Sequence, residues 1–434
     1  MVIGSAFAVV RQIPPRSDTL WPMSWRSLAP TMALTVVLVA GCSSSTDSDA
    51  GHAVSRSPAA TSPAPVAQPA AHGAEAAITT IPWSQVGPGW MLATWSPVPG
   101  GPPGAPPPPG SPSRETATTT LYLVDPAGGR YVITTLPPPG QGPRVTLVDW
   151  SGDKSHAMLY TNASAPSGAI TVITVDLHSG AQATFAVDNG FNVIPGYTRP
   201  EGKAVLLAKW NDGNPAWLKR VDLAGHPELT YPVGQDFQGE YLSTPDGTQL
   251  VLGMAAGLAL MGNDGIAGKA LPIAGEHNCA PKRWWDNSST VVVASCIDNG
   301  PARLWLVPIS GEPPTALTAQ LTGQGQDLGD TNAWQLPVGT FVQDAGACGS
   351  EYLAKLSAVG GTTTPVSVPD VDPHSSVRVI GVNGSDLDLQ ATASCGGGQS
   401  LFDFNPGTNT STVLLGPPLN GGGVIDALPY PGQR

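Results

Sequence analysis

Four cysteines, a short Asp/His cluster and a scatter of lone histidines are the side chains of this chain's body with types and spacing suited to chemistry. Cys279, Cys296, Cys348 and Cys395 form an even set, which in an exported protein predicts two disulfides, with three connectivities open. One connectivity is favoured by spacing. Cys279 and Cys296 lie symmetrically about the turn-like Asp286-Asn287-Ser288-Ser289, between strand-like runs at Lys282–Trp285 and Thr290–Ala294. A hairpin centred there sets the two thiols opposite each other, which leaves Cys348 and Cys395 to bridge neighbouring repeats. The chain has no C-x-x-C pair, so a zinc site is not expected. Asp370-Val-Asp372-Pro-His374 offers two carboxylates and an imidazole to a cation. Asp beside Pro is also ordinary turn chemistry, and no further ligand is assured. These three are the metal candidates of the sequence, and the expectation is that no metal or cofactor is held. His277 sits beside a predicted disulfide, and His156, His178 and His226 fall at turn or strand edges far apart in the chain. With no H-E-x-x-H, G-x-S-x-G or P-loop present, no catalytic residue is assigned.

The remaining cysteine, Cys42, belongs to a different signal. From Met23 the chain runs through Arg26 into a mostly apolar stretch, Leu28 to Ala40, and ends in Leu38-Val39-Ala40-Gly41-Cys42. That stretch is shorter than the ~20 residues a membrane span needs and fits a cleavable signal peptide over 1–41, with Met23 as a candidate true start. Val39-Ala40-Gly41-Cys42 resembles the lipobox of bacterial lipoproteins, which implies diacylglycerol and palmitate on a mature N-terminal Cys42. Residues 42–78 are rich in Ser, Ala and Pro and almost without large apolar side chains, so they cannot offset the entropy of ordering. They read as a disordered tether spanning about 30–35 Å.

Elements able to position anything must come from the rest. Charged residues are 12% of the chain, and Gly (52) and Pro (46) abound, a mixture that disfavours long helices and favours short strands with tight turns. The net charge is −12. With no basic stripe, a nucleic-acid partner is excluded, as is electrostatic docking on anionic lipid. A short apolar run followed by a Gly-containing turn recurs seven times, at ~40–50-residue spacing, the size of a four-stranded propeller blade. Val124, Val175, Val221, Met261, Val307, Leu356 and Phe402 are taken as equivalent positions. The expectation is an all-β chain forming a single β-propeller over 79–430, with about seven four-stranded blades (six as the alternative). A Pro/Gly-rich insertion at 97–112 falls in the first blade, and Val424–Leu428 is set to pair with that blade and close the ring. Trp150, Trp210, Trp217, Trp284, Trp285, Trp305 and Trp334 are assigned to blade packing.

Trp150-Ser151-Gly152-Asp153 and Thr244-Pro245-Asp246-Gly247, each before an apolar strand, resemble the blade motif of TolB-like propellers, as does Val175-Asp176-Leu177 before Gly180. The resemblance covers roughly 80–415 and implies the propeller fold. It does not carry TolB's own role, because the tether leaves no room for TolB's N-terminal domain. The sequence therefore points to a TolB-like, lipid-anchored propeller at the cell membrane, on the extracytoplasmic (periplasmic or cell-wall) side. It would act as a monomeric, non-catalytic binding or scaffold module for an envelope protein or glycan. An exported propeller enzyme of lyase, glycosidase or cyclase type is the rival, and a sensor or ligand-binding ectodomain is a third reading.

Overall fold

The computed structural model describes residues 69–99, 109–140, 142–162, 168–210, 214–297, 300–321, 329–346, 349–371, 375–392, 399–416 and 422–431. Cys42, Cys348, Cys395, Asp372 and His374 lie outside these residues.

The described chain is β-structure with two single-turn 3-10 helices. Its strands form seven sheets, arranged as the blades of a propeller. Six are four-stranded antiparallel meanders in chain order. From the channel outward, blade II is Val145–Trp150, His156–Thr161, Ile170–Asp176 and Gln182–Val187. Blade III is Val193–Tyr197, Ala204–Lys209, Trp217–Asp222 and Pro227–Thr230. Blade IV is Phe237–Ser243, Gln249–Met254, Gly257–Gly262 and Ala267–Pro272, and blade V is Ala280–Trp284, Val291–Cys296, Arg303–Pro308 and Thr315–Ala316. Blade VI is Gly329–Leu336, Gly339–Ala345, Glu351–Leu356 and Thr363–Pro365, and blade VII is Ser376–Asn383, Asp386–Thr392, Gln399–Asn405 and Thr410–Leu415.

Blade I joins the two ends of the propeller. Its innermost strand is Gly423–Pro429, antiparallel to Met91–Ser96, followed outward by Thr119–Val124 and Arg130–Leu136. The expected pairing of Val424–Leu428 with the first blade is what closes the ring. Glu75–Ala77 adds a fifth, parallel strand on the outer edge, so blade pairing begins before residue 79, inside the stretch read as tether.

Seven apolar clusters hold the ring, one between each pair of adjacent blades. The pattern follows from the alternation along each strand: a blade is covered on both faces, so both sets of side chains are apolar. Leu206 and Leu218 face blade IV, for example, while Val205, Leu207 and Val221 face blade II. The repeat equivalents fall where the sequence put them, on the third strands. Two are offset by register: in blade VII Phe404, not Phe402, pairs with the second residue of the second strand (Leu387), as Val175 does with Ala157 and Val307 with Val292, and in blade I Val124 pairs with the first, Met91.

The motif turns recur in detail. In blades II, III and IV a Ser or Thr closes the turn between the first and second strands. Its hydroxyl oxygen accepts the N–H at the start of the next strand: Ser151 from His156 (2.9 Å), Thr198 from Ala204 (3.1 Å) and Thr244 from Gln249 (3.0 Å). These turns pack on one another. A Cβ at Gly247 (φ +71°) would lie 1.8 Å from the Arg199 carbonyl oxygen, and one at Gly152 would lie 1.9 Å from that of Pro200, so only glycine fits. In the outer hairpins the carboxylate of Asp125, Asp176 or Asp222 accepts two backbone N–H groups of its own turn, as the Asn405 amide oxygen does in blade VII.

Candidate functional site

The two faces of the ring differ. One carries the tight turns just described. The other carries the connections between blades and those joining second to third strands, and the innermost strands begin there. Six of the seven innermost strands are bulged against their neighbours: the ladder skips Val148, Lys282, Thr331, Ile380 and Ile425, and it shifts across 238–240 of blade IV. The innermost strand of blade III pairs regularly. Each bulge turns one residue out of the ladder, and the five single-residue positions are all half-buried. Val148 packs against the cluster between blades II and III, Ile380 against the one between blades VII and I, and Lys282 pairs with Glu240 of blade IV.

Polar side chains on the first and second strands tie six of the seven pairs of adjacent blades together. The Asp149 carboxylate in blade II accepts the Tyr197 N–H (2.7 Å) and an Arg199 Nη2 donor (2.8 Å) in blade III. Asp426 in blade I accepts the Leu147 N–H of blade II (3.1 Å). Gln343 in blade VI donates to the Val377 carbonyl (2.8 Å) and accepts the Val379 N–H (2.7 Å) of blade VII, and Gln390 in blade VII donates to Ile425 of blade I (3.0 Å). Lys282 pairs with Glu240 across blades V and IV (2.7 Å), Trp284 Nε1 donates to the Ser243 carbonyl (3.1 Å), and Arg283 donates to Ala333 in blade VI (3.3 Å). Burial depresses the Arg283 guanidinium to about 10, and it stacks 5.4 Å over the Trp334 ring. Burial, with the Asp149 charge second, pushes the Tyr197 hydroxyl far up.

At the mouth between blades VII, I and II the charges are mixed. Burial raises Asp426, against the Leu147 N–H and the charges of Arg378 and Arg144. Arg144 is lowered by burial and by neighbouring Arg114. Their loops are joined by the Gly140 N–H donating to the Glu115 carbonyl (3.2 Å). Burial also raises Glu351, whose nearest cation, Arg378, stands 3.9 Å away. Next to blade II, blade III exposes Ile194 (36%) and Trp210 (43%), and the Trp210 N–H donates to the Asn192 carbonyl (3.0 Å).

The candidates named from the sequence separate under this geometry. Cys279 and Cys296 are bonded, one just before the innermost strand of blade V and the other ending its second strand, on the inter-blade face. Both thiols join the apolar cluster between blades IV and V. Asp370 lies on the inter-blade loop before blade VII, with the Ser411 hydroxyl 3.5 Å from its Oδ2. Among the described residues no three His, Cys, Asp or Glu side chains converge as a metal site. The histidines stay dispersed: His156 beside Asp176 (3.9 Å), His226 beside Asp222 (2.9 Å) and His178 against the Trp83 ring (4.0 Å between centroids). Trp150 and Trp334 are buried as expected, and Trp217, Trp284, Trp285 and Trp305 are half-buried. Trp210 is the exception.

Sequence reasoning passed over the pair Asp388 and Asp403, directly opposite each other on the second and third strands of blade VII. Burial and the neighbouring carboxylates push Asp388 up to about 7 and Asp403 to about 6. The alternation Asp386-Leu387-Asp388-Leu389-Gln390, which puts acids on one face of a strand in a buried repeat, was the available signal.

Seven four-stranded blades closed by the C-terminal strand define a seven-bladed β-propeller. Solved structures similar to this chain include TolB from Acinetobacter baumannii, at 12% identity, covering 84% of this chain and 88% of that one, with a TM-score of 0.37. The β-propeller domain of the Trilobed protease from Pyrococcus furiosus is 9% identical, with 74% and 98% covered and a TM-score of 0.43. A prolyl endopeptidase structure is 13% identical at a TM-score of 0.46; the match takes in 74% of this chain and spans about half (49%) of that protein. No family model and no curated protein matches the sequence.

Proposed function

We propose that this chain is an exported lipoprotein, acylated at Cys42 and held at the extracytoplasmic face of the membrane. Its propeller is a non-catalytic binding module that takes an envelope protein or glycan at the channel mouth of the inter-blade face. One observation carries this reading: the side chains of Asp149, Asp426, Gln343 and Gln390 are spent on blade-to-blade bonds, while apolar Ile194 and Trp210 stand exposed at the rim. Buried groups already bonded to backbone are poorly placed to move protons, whereas an exposed tryptophan on a rigid rim supplies contact area at low entropic cost.

An enzymatic reading has one observation in its favour, the Asp388–Asp403 pair with its raised carboxyls. Asp388 is 1% exposed, so it has no approach for a substrate.

Two measurements test the proposal. The Cys42→Ser form should lose detergent-phase partitioning, and unchanged partitioning would refute the anchor. A photo-crosslinking residue at position 194 or 210 should capture a partner in cells, whereas one at position 266, exposed on the turn face (Ile266, 69%), should not. Equal capture from both faces, or none from either, would overturn the binding face.

A further inference from the structure

We propose that the Asp388–Asp403 pair is a pH-sensitive latch on the seam where blade VII meets the ring-closing blade I. The two residues are cross-strand partners in the antiparallel ladder, where like charges directly opposite each other are destabilising. Asp388 is 1% exposed, and Asp388 Oδ2 and Asp403 Oδ1 are both buried without a hydrogen-bond partner. An ionised carboxylate there would be costly, because burying an uncompensated charge costs more than burying a protonated acid. One proton held between the two side chains removes that cost and supplies a donor for an orphaned oxygen.

The pair lies against the closing strand. The position a Gly381 Cβ would occupy is 3.3 Å from Asp388 Oδ2 and 2.6 Å from the Pro429 Cβ. Gly381 thus leaves the space in which Asp388 and the closing strand approach each other. On the same side of that strand, two residues on, Gln390 donates to the Ile425 carbonyl of blade I.

Among the described residues no cation offsets the pair. On the second strand of blade VII, Asp386 adds a third carboxylate; its Oδ1 accepts from Asn405. The charges acting on Asp388 are those of Asp403 and Asp386, and Asp386 acts on Asp403. The inner strand of blade VII carries Arg378 and the closing strand carries Asp426, but these act on each other. Closest to the pair, the inner strand presents Gly381 and the closing strand Pro429.

The direction follows from linkage. Both folded-state carboxyls sit above their unfolded values, so the native chain holds more protons than the unfolded one between roughly pH 4 and 7. The stabilisation is complete below that window and is lost as pH rises through the folded values of about 6 and 7. Above it the seam holds two ionised carboxylates, and blade VII loosens from blade I.

Amide hydrogen exchange on the full chain, corrected for the intrinsic pH dependence, reads this out by segment. Protection of Gln399–Asn405 and Gly423–Pro429 should fall about tenfold from pH 6 to pH 8, while Ala204–Lys209 in blade III stays constant. That ratio corresponds to about one unit of differential pKa. Asp388→Asn keeps the shape and removes the titration, and it should flatten the pH response at the seam. Asp403→Asn, whose site is less buried, should do the same and serves if the first variant folds poorly. Seam protection independent of pH in the unaltered chain, or falling equally in either variant, would overturn the proposal.

Discussion

Asp149 illustrates how much one side chain does in this ring. Its carboxylate is nearly enclosed, it neutralises Arg199 at 2.8 Å, and it accepts the N–H of Tyr197, the last residue of the next blade's innermost strand. Truncation to alanine leaves a largely buried guanidinium without its counter-ion, a loss of about 3–5 kcal/mol for a pair of this kind. Urea unfolding of Asp149→Ala should report a loss in that range. Asp149→Asn retains an acceptor for Tyr197 and should lose less. Trp210 makes the opposite case. It is 43% exposed, so Trp210→Ala should leave the unfolding midpoint within the scatter of ordinary surface changes, ~0.5 kcal/mol, while weakening capture of a partner. None of this is visible along the chain. Asp149 sits in a run that reads as a strand leading into a turn, and nothing local separates an acid that faces solvent from one that reaches a neighbouring blade.

At the scale of the element, the turns are legible and the bulges are not. Trp150-Ser151-Gly152-Asp153 and Thr244-Pro245-Asp246-Gly247 carry their hydrogen bonding locally, since hydroxyl and carboxylate act within five residues of one another, while each glycine answers to the turn of a neighbouring blade. The third copy, Thr198-Arg199-Pro200-Glu201-Gly202, escapes a motif reading because it is degenerate, yet it makes the same hydroxyl contact. Gly247→Ala should destabilise by about 1–3 kcal/mol in thermal or urea unfolding, because its Cβ meets the Arg199 carbonyl and φ is +71°. The closing strand acts through its partners in blades I and VII. A chain ending at Gly422 would uncover Met91, Ala93 and the rest of the cluster between blades VII and I. It should bind a hydrophobic dye strongly in the native buffer and unfold at lower denaturant, with a loss of at least ~3 kcal/mol.

For the molecule as a whole, the Cys279–Cys296 bond closes a loop of 17 residues, and a loop of that size stabilises by about 3 kcal/mol in the chain-entropy account. Replacing both cysteines by alanine should lower the unfolding free energy by about that much while the blade pattern in circular dichroism persists, because both thiols also pack in the cluster between blades IV and V. The sequence alone pointed to a propeller of about seven blades, with six as the alternative, to a last strand paired with the first blade and to this cysteine pair as the favoured one of three connectivities. Each is encoded by short-range periodicity: a strand-turn unit repeated seven times, a spare apolar run at the end, and two thiols symmetric about a turn. What it could not determine was which residues meet across blades. Asp426 with Leu147, Gln343 with Val379 and Asp388 against the closing strand are separated by 279, 36 and about 40 residues. Their meeting depends on how far each blade is rotated past the last and where each inner strand bulges. Those are properties of packed side chains acting together, and only the closed ring fixes them.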